Sequence, residues 1–467
     1  MSSFQNLKKV DDRTITFTMS PTHVTYANSL RRSVQTEVSI LGVRSDITET
    51  GTTSDVVVIK NSTPMSNEML ADRVGLLPFW YDPMTTAANW EKEKILFKLH
   101  VKNETDQVRL VTASDFECLE LIPEEERDEQ ERRRIPNTRF FHPDPVTAET
   151  AIIAVLKPQL EGQEPEEIHL EAFASFGKGR EHTRFNPASQ CAYRYTRDET
   201  PERIAALWIT WLREQKKVDP KDLDALPERK EMLEREFRSL EIYRCFKQDE
   251  QGEPNSYDFT VETVGPMMVQ GIVYYGLLGV AELADKYSGD LPETVDIRPA
   301  DWASPDGFDV WFTNEDHTLG NLLQTWISEN KADVFVGYKV PHPLRPEMIL
   351  RLGVKEDSEV RSLISEAATA IGDMFRSWAD EWITNPALTT EGLVAPVTPE
   401  FARGQTPVGV VVDRALPPWK AHEKARLREG PAPAPAAAAA PAAPAAPAAP
   451  AATRGRGAPR GRGRGGL

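Results

Sequence analysis

The sequence predicts an α+β protein. Three observations carry that expectation: a strand-into-helix pattern that occurs twice, several short β-type runs between the two copies, and one long amphipathic helix late in the chain. The repeated pattern is T-x-small-N-x-L, read as Thr25-Tyr26-Ala27-Asn28-Ser29-Leu30 and again as Thr318-Leu319-Gly320-Asn321-Leu322-Leu323. Each copy follows a β-type run, Thr14 to Met19 and Phe308 to Thr313. Each opens an amphipathic helix whose apolar residues keep a 3.6-residue period: Ala27, Leu30, Val34 and Val38 in the first, and Leu319, Leu322, Leu323, Trp326 and Ile327 in the second. Ala27 and Gly320 share a place in the first turn, where a small residue lets another backbone come close. The six positions alone fit two unrelated amphipathic helices equally well.

Further β-type runs occur at Val56 to Lys60, Ile95 to Lys102 and Ile152 to Lys157. The longest helical stripe runs from Asp357 to Asn385, with Val360, Leu363, Ile364, Ala367, Ala368, Ile371, Met374, Phe375, Trp378 and Trp382 on one side. On periodicity the stripe fits the core of a free-standing bundle as well as a partner surface.

The chain has 467 residues, enough for about three domains with buried cores. Cys118, Cys191 and Cys245 are widely and unequally spaced, which supports neither a disulfide framework nor a zinc site and points to a reducing compartment. The opening MSSFQNLKKV lacks an apolar stretch, so no secretory leader is expected. Thr263 to Ala281 carries no formal charge, but Pro266, Gln270, Gly271, Gly276 and Gly279 within it favour a strand end followed by a buried helix over a membrane span. The formal charge is −17. Residues 430–467 contribute five arginines and no acid, so the rest carries 50 basic against 72 acidic residues, a formal −22. Such a surface repels phosphate and argues against direct duplex-DNA binding.

The surroundings of the two copies carry a resemblance. The first lies in THVTYANSLRRSVQTEV (Thr22 to Val38), followed by DRVGLLPF (Asp72 to Phe79), AFASFGKGREHTRFNPASQCAYRY (Ala172 to Tyr195) and YDFTVETVGPM (Tyr257 to Met267). In that order these segments resemble the alpha-type subunits of multisubunit RNA polymerases. The second lies in NEDHTLGNLLQTWISENKADVFVGYKVPHPLRPEMILRL (Asn314 to Leu352), which resembles the smaller alpha-like partner subunit of the same enzymes. The chain thus looks like the two halves of the alpha-like heterodimer joined end to end. Those halves are the third and eleventh subunits of polymerase II, and subunits D and L in archaea. One chain holding both resembles the arrangement in large nucleocytoplasmic DNA viruses.

The resemblance implies two alpha-type dimerisation domains, each a sheet plus long helices, in a pseudo-two-fold arrangement. Residues 1–50 with 180–287 would form the first, 51–179 an inserted β-rich domain, 288–305 a linker and 306–395 the second dimerisation domain. It also implies that the long helix from Asp357 packs near the helix that starts around Met267, with a continuous core. Many family members hold a metal in the inserted domain; only Cys118 falls there in this chain, so no metal and no cofactor are expected. The run Glu124 to Arg134 reads as a solvated surface. Glu199 to Asn255 departs from the family's core pattern. It holds an amphipathic helix (Ile204, Leu207, Trp208, Trp211, Leu212) and a charged helix through Arg229 to Arg238. Residues 396–467 read as an extended or disordered tail: Gly430 to Ala452 is almost only Ala and Pro, where repeated proline prevents a continuous helix, and Arg454 to Leu467 is RG-rich. It fits a solubilising arm and a weak, salt-sensitive RNA or acidic-partner contact equally well.

No catalytic constellation stands out. His317 beside Asp316, His342 between prolines, Asp309 and Glu315 resemble metal ligands only superficially, since no H-x-x-x-H or H-x-D spacing is present. Asp316 or Thr318 suits a helix cap, and Gly177-Lys178-Gly179-Arg180 lacks the frame of a phosphate loop. The expected function is a non-catalytic assembly subunit of a DNA-dependent RNA polymerase, partnered with the two largest subunits and smaller ones, in an intracellular setting. The alternative is a polymerase-independent adaptor that uses the RG-rich tail. The resemblance places Ala27, Asn28, Leu30, Val34, Leu319, Gly320, Asn321, Leu322, Leu323, Phe375 and Trp378 at the interface between halves, with Asn28 and Asn321 in buried hydrogen bonds. It places Arg31, Arg32, Lys178, Arg180 and Arg184 against a large subunit.

Overall fold

Alternation of apolar and polar residues sets the first sheet. Strand β1 (Phe4–Lys9) turns into β2 (Thr14–Met19), helix α1 (Val24–Thr36) follows, and β3 (Ser39–Gly42) leads away. The chain then enters an excursion made of β4 (Val56–Asn61), α2 (Asn67–Gly75), β5 (Ile95–Lys102), β6 (Arg109–Thr112), β7 (Phe116–Leu121), β8 (Arg132–Ile135), β9 (Ile152–Leu156), β10 (Glu167–Phe173) and β11 (Ser175–Lys178). It returns through β12 (Ala188–Tyr195), a helical segment with α3 (Pro201–Trp211) and α4 (Pro227–Ser239), β13 (Tyr257–Thr263) and α5 (Val269–Asp285). The last stretch holds β14 (Val295–Pro299), β15 (Phe308–Thr313), α6 (His317–Asn330), β16 (Phe335–Lys339), β17 (Glu347–Gly353), α7 (Asp357–Thr384) and α8 (Pro386–Thr390). This computed structural model describes residues 3–45, 55–80, 90–122, 131–144, 146–223, 226–301 and 307–393. The expected tail lies outside the described residues, as do residues 302–305 of the expected linker, residue 306 and residues 124–130 of the charged run.

The first sheet has the order β1-β2-β13-β12, all antiparallel. In β13 the alternation sends Tyr257, Phe259, Val261 and Thr263 inward, and Phe259 lies opposite Phe17 with rings stacked at 5.0 Å. The second sheet, β14-β15-β17-β16, is also antiparallel, with Val310, Phe312, Met348 and Leu350 buried. One hydrophobic core joins both sheets with α1, α5, α6 and α7.

Within that core α5 and α7 lie against each other. Trp382, near the end of α7, donates from Nε1 to the Gln270 carbonyl near the start of α5 at 3.0 Å. Earlier in α7, Arg376 pairs with Asp285, at the end of α5, at 2.6 Å. The two helices therefore run antiparallel. The Trp382 ring also closes the first sheet, edge-on to Phe17 at 4.9 Å and Phe4 at 5.1 Å. The stripe expected from Asp357 faces this core: Val360, Leu363, Ile364, Ala367, Ala368, Ile371, Phe375 and Trp382 are buried, while Met374 and Trp378 pack at its margin.

The excursion builds a second core beneath a five-stranded sheet, β4-β10-β5-β7-β8, with Phe79, Phe97, Phe116 and Phe141 in mutual ring contact. That core already takes in Leu41 and Val43, and β3 pairs with the returning β11. A third, small core holds Trp211, Leu212, Leu233 and Phe237 between α3 and α4.

One expected loop differs. Residues 295–299, within the expected linker, form β14 and pair with β15. Val295 and Ile297 are half-buried against the core, and Pro299 is tolerated because it ends an edge strand. Thr263 to Ala281 resolves into the end of β13 and most of α5; among the described residues no helix is long and apolar enough to cross a membrane.

Candidate functional site

The two repeat helices start alike. His23 caps α1, its Nδ1 accepting from Thr25 N–H at 3.2 Å, and Asp316 caps α6, its Oδ1 accepting from Thr318 N–H at 2.8 Å. The carboxylate also meets the positive end of its helix dipole. Both motif threonines are buried, as are Ala27, Leu30, Val34, Leu319, Gly320, Leu322 and Leu323.

Leu30 and Val34 spend their apolar face on α5. A methyl group added at Gly276 would lie 2.6 Å from Val34 Cγ2 and 3.4 Å from Leu30 Cδ1, so only glycine admits this approach. Ser33 Oγ confirms the closeness by donating to the Gly276 carbonyl at 2.7 Å. Gly320 likewise serves a close approach, but to a side chain rather than the backbone expected: a Cβ there would sit 2.5 Å from the Tyr338 ring. Asn28 and Asn321 are half-buried rather than buried, and Asn28 accepts from Arg31 Nε of its own helix at 2.9 Å.

The contacts that tie α1 to α6 and α7 come from motif residues outside the expected interface set and from Thr325 and Glu329, which the sequence did not single out. Thr25 and Thr325 share a buried hydroxyl-to-hydroxyl hydrogen bond of 2.8 Å, and Tyr26 Oη donates to Glu329 at 2.9 Å. The Tyr26 ring lies edge-on to Phe375 at 6.4 Å and to Trp378 at 6.2 Å, which brings those two predicted positions against the first repeat helix. Burial and the neighbouring Glu329 push the Tyr26 hydroxyl above its ordinary range. Arg32 donates from Nε to Thr318 Oγ1 at 2.7 Å and pairs with Asp316 at 3.2 Å.

A charged knot closes the site beside these contacts. Glu37, at the end of α1, is buried, and Arg180 approaches its Oε1 at 2.7 Å through Nε and 2.5 Å through Nη2. Lys178 stands 3.9 Å from the same carboxylate and 3.5 Å from Glu282. Arg180 also reaches Asp316 at 3.3 Å, so one guanidinium joins the end of α1 to the start of α6. Burial alone would raise the Glu37 carboxyl; Arg180 and Lys178 outweigh it and hold the group below its ordinary value. Asp316 is lowered in the same way, burial being overcome by Arg180, the Thr318 N–H and Arg32.

The Gly177-Lys178-Gly179-Arg180 segment explains itself here. Any Cβ on Gly179 would collide with the Gln35 carbonyl oxygen, and Arg180 N–H donates to Thr36 O at 3.1 Å. The segment thus satisfies the Thr36 carbonyl, which the end of α1 leaves open. Arg184 turns inward, its side chain only 4% exposed, donating to Val43 O at 3.1 Å and standing 3.8 Å from Asp72. Arg31 bonds Asn28 and Gln35 on its own helix. Of the five predicted basic contacts, Arg32, Lys178 and Arg180 converge on the knot, and Arg31 and Arg184 lie apart from it.

The residues that resembled metal ligands have structural partners. Asp309 forms a two-point pair with Arg351 at 2.6 and 2.7 Å, Glu315 accepts from Tyr287 Oη at 3.0 Å, and His342 Nδ1 accepts from Leu344 N–H in its turn. Among the described residues no three His, Cys, Asp or Glu side chains stand close enough to share a metal ion.

Residues 308–381, from β15 through most of α7, match the RNA polymerase Rpb3/Rpb11 dimerisation domain. The chain is 34% identical over 88 residues to the DNA-directed RNA polymerases I and III subunit rpc19 of Dictyostelium discoideum, covering 76% of that subunit and 18% of this chain. The chain belongs to the Rpb3/Rpb11 family of RNA polymerase subunits. It is also 39% identical over 71 residues to the RNA polymerase II subunit RPB11 of Schizosaccharomyces pombe, a match spanning 58% of that subunit and 15% of this chain. A longer similarity, 22% over 297 residues, runs to the polymerase subunit Rpo3 of Pyrococcus horikoshii and covers 98% of that protein and 62% of this chain. Members of the Rpb3/Rpb11 family are non-catalytic structural subunits, in keeping with a site built of caps, hydroxyl pairs and internally neutralised charge.

Proposed function

We propose that this chain is an assembly subunit of a DNA-dependent RNA polymerase in which two alpha-like halves pair within one chain and present related surfaces to the two largest, catalytic subunits. The observation that carries the reading is the single core in which α1 meets α6 and α5 lies along α7. Each half leaves a sheet face and a helix stripe that its counterpart covers, the arrangement of an isologous interface. A tether between halves raises their effective concentration and spares them a search for each other. Arg31, on the outer side of α1, is the proposed direct contact to a large subunit, while Arg32, Lys178, Arg180 and Arg184 shape the surface from within. The one-chain arrangement supports an intracellular viral setting, in a particle, a cytoplasmic factory or a nucleus.

Native mass spectrometry of the tagged full-length chain and of a 1–429 truncation, purified from cells that normally express it, tests this. One copy with two very large subunits in both forms is expected. A free chain, or partners lost with the tail, overturns it in favour of an adaptor working through its RG-rich end. Leu323 is wholly buried, and Leu323→Asp is expected to abolish incorporation into the polymerase. Normal incorporation of that variant refutes the placement of Leu323.

A further inference from the structure

The interface between the repeat helices follows a near-two-fold rule that charge breaks. By the shared motif, Thr318 is the counterpart of Thr25, Thr325 that of Arg32, and Asp316 that of His23. Symmetry requires that if position 25 of the first copy faces the second copy's counterpart of position 32, the reverse contact also forms. Both do: Thr25 meets Thr325 at 2.8 Å, and Arg32 meets Thr318 at 2.7 Å. Both helix caps are equivalent as well, each made by the residue two before the motif threonine.

The break lies in charge. On one side of the axis Arg32 faces the carboxylate cap Asp316 at 3.2 Å; on the other, Thr325 faces the helix start capped by His23. We infer that this Arg32–Asp316 contact is a specificity key that makes the two halves pair with each other and not with their own kind in a second copy of the chain. The inference rests on the proposed pairing of halves within one chain.

The consequences for like pairing follow from the counterparts. Two first halves would set each Arg32 against a His23 cap and leave both guanidinium groups without a carboxylate. Two second halves would set each Asp316 against Thr325, stranding two half-buried carboxylates that now hold Arg32 and Arg180. Both losses occur twice, once on each side of the axis, so like pairing forfeits the ion pair that unlike pairing makes. Leu30 with Leu323 and Ala27 with Gly320 match between the copies and carry little discrimination, whereas Tyr26, whose counterpart is Leu319, adds a second unmatched contact through Glu329 at 2.9 Å.

The full-length chain allows the test. Arg32→Asp sets the introduced carboxylate against that of Asp316 within a chain, yet in a like pair of first halves it sets a carboxylate against His23 twice. The R32D chain is therefore expected to shift from monomer to a dimer in sedimentation and native mass spectrometry, whereas R32Q stays monomeric. A T25C/T325C disulfide is expected to close within one chain in the parent background and to be largely lost in R32D. An R32D chain that stays monomeric and keeps the intrachain bond overturns the key. If R32D does not accumulate folded, R32Q and D316N are compared with their double variant by urea midpoint. A double variant no worse than the more damaged single supports the key; strictly additive shifts overturn it. Failure of the parent T25C/T325C chain to close on itself instead refutes the pairing of halves on which the inference rests.

Discussion

Removing the Arg180 side chain separates a residue that holds this protein together from one kept for a partner. Arg180→Ala deletes the guanidinium that touches Glu37 Oε1 at 2.5 and 2.7 Å and Asp316 at 3.3 Å, while its backbone N–H to Thr36 is kept. Breaking a buried ion pair by deleting one partner costs about 3–5 kcal/mol, because the other charge stays buried. Two features here reduce that figure. The Arg180 side chain is 26% exposed, so water enters when it is gone, and Lys178 remains 3.9 Å from Glu37. A loss of about 2–3 kcal/mol is expected. Urea unfolding of the full chain, followed by tryptophan fluorescence, reads it.

The pH dependence has a definite sign. In the parent, the Glu37 carboxyl lies below its unfolded value, so its contribution is present above that value and is lost as pH falls through the folded one. Without Arg180, burial dominates and raises the same carboxyl, so the folded variant gains a proton before the unfolded chain does and its penalty is relieved in acid. The gap between parent and variant is therefore widest at neutral pH and narrows toward about pH 4.5. Adding Glu37→Gln to Arg180→Ala removes the stranded charge and is expected to recover part of the loss. A variant within about 0.5 kcal/mol of the parent at pH 7, or a gap that ignores pH, refutes the reasoning and returns Arg180 to the role of an outward contact.

Other expectations follow from single residues. Trp382→Ala removes a fully buried ring that closes the first sheet and bonds Gln270, and it is expected to cost about 3–5 kcal/mol in the same urea assay; a change below about 1 kcal/mol speaks against the closure. Gly320→Val drives its side chain into the Tyr338 ring and is expected to cost about 1–3 kcal/mol, with Tyr338→Ala recovering part of it; no recovery places the strain elsewhere. Burial pushes the Cys118 and Cys191 thiols up to about 12, so both are expected to resist iodoacetamide at pH 8 until urea is added, as peptide mapping reports.

How far the sequence reaches into this structure depends on the kind of force involved. Short-range periodic burial was legible: β2 and β15 fall on Thr14–Met19 and Phe308–Thr313, and α7 begins at Asp357 as its stripe implies. Burial of this kind repeats every two or three to four residues, so a short window contains it. The strand at Val295–Pro299 was hidden because its partner, β15, supplies the pairing that a proline-bearing segment does not advertise. The charged knot was hidden for a different reason. Arg180 and Arg184 read as surface because charge usually is, yet they go inward where Glu37, Asp316 and Val43 O supply partners. Glu37 itself carried a signal, since it stands beside Val38 at the end of an apolar stripe where a solvated carboxylate has no room. Arg32 and Asp316 carried none alone, being almost three hundred residues apart. Only the duplicated motif links them: once Thr25 is set against Thr318 and His23 against Asp316, the unmatched charge pair becomes visible as a feature that distinguishes the two halves. A duplicated interface thus shows its shared hydrophobic logic in either copy and its pairing specificity only in the differences between them.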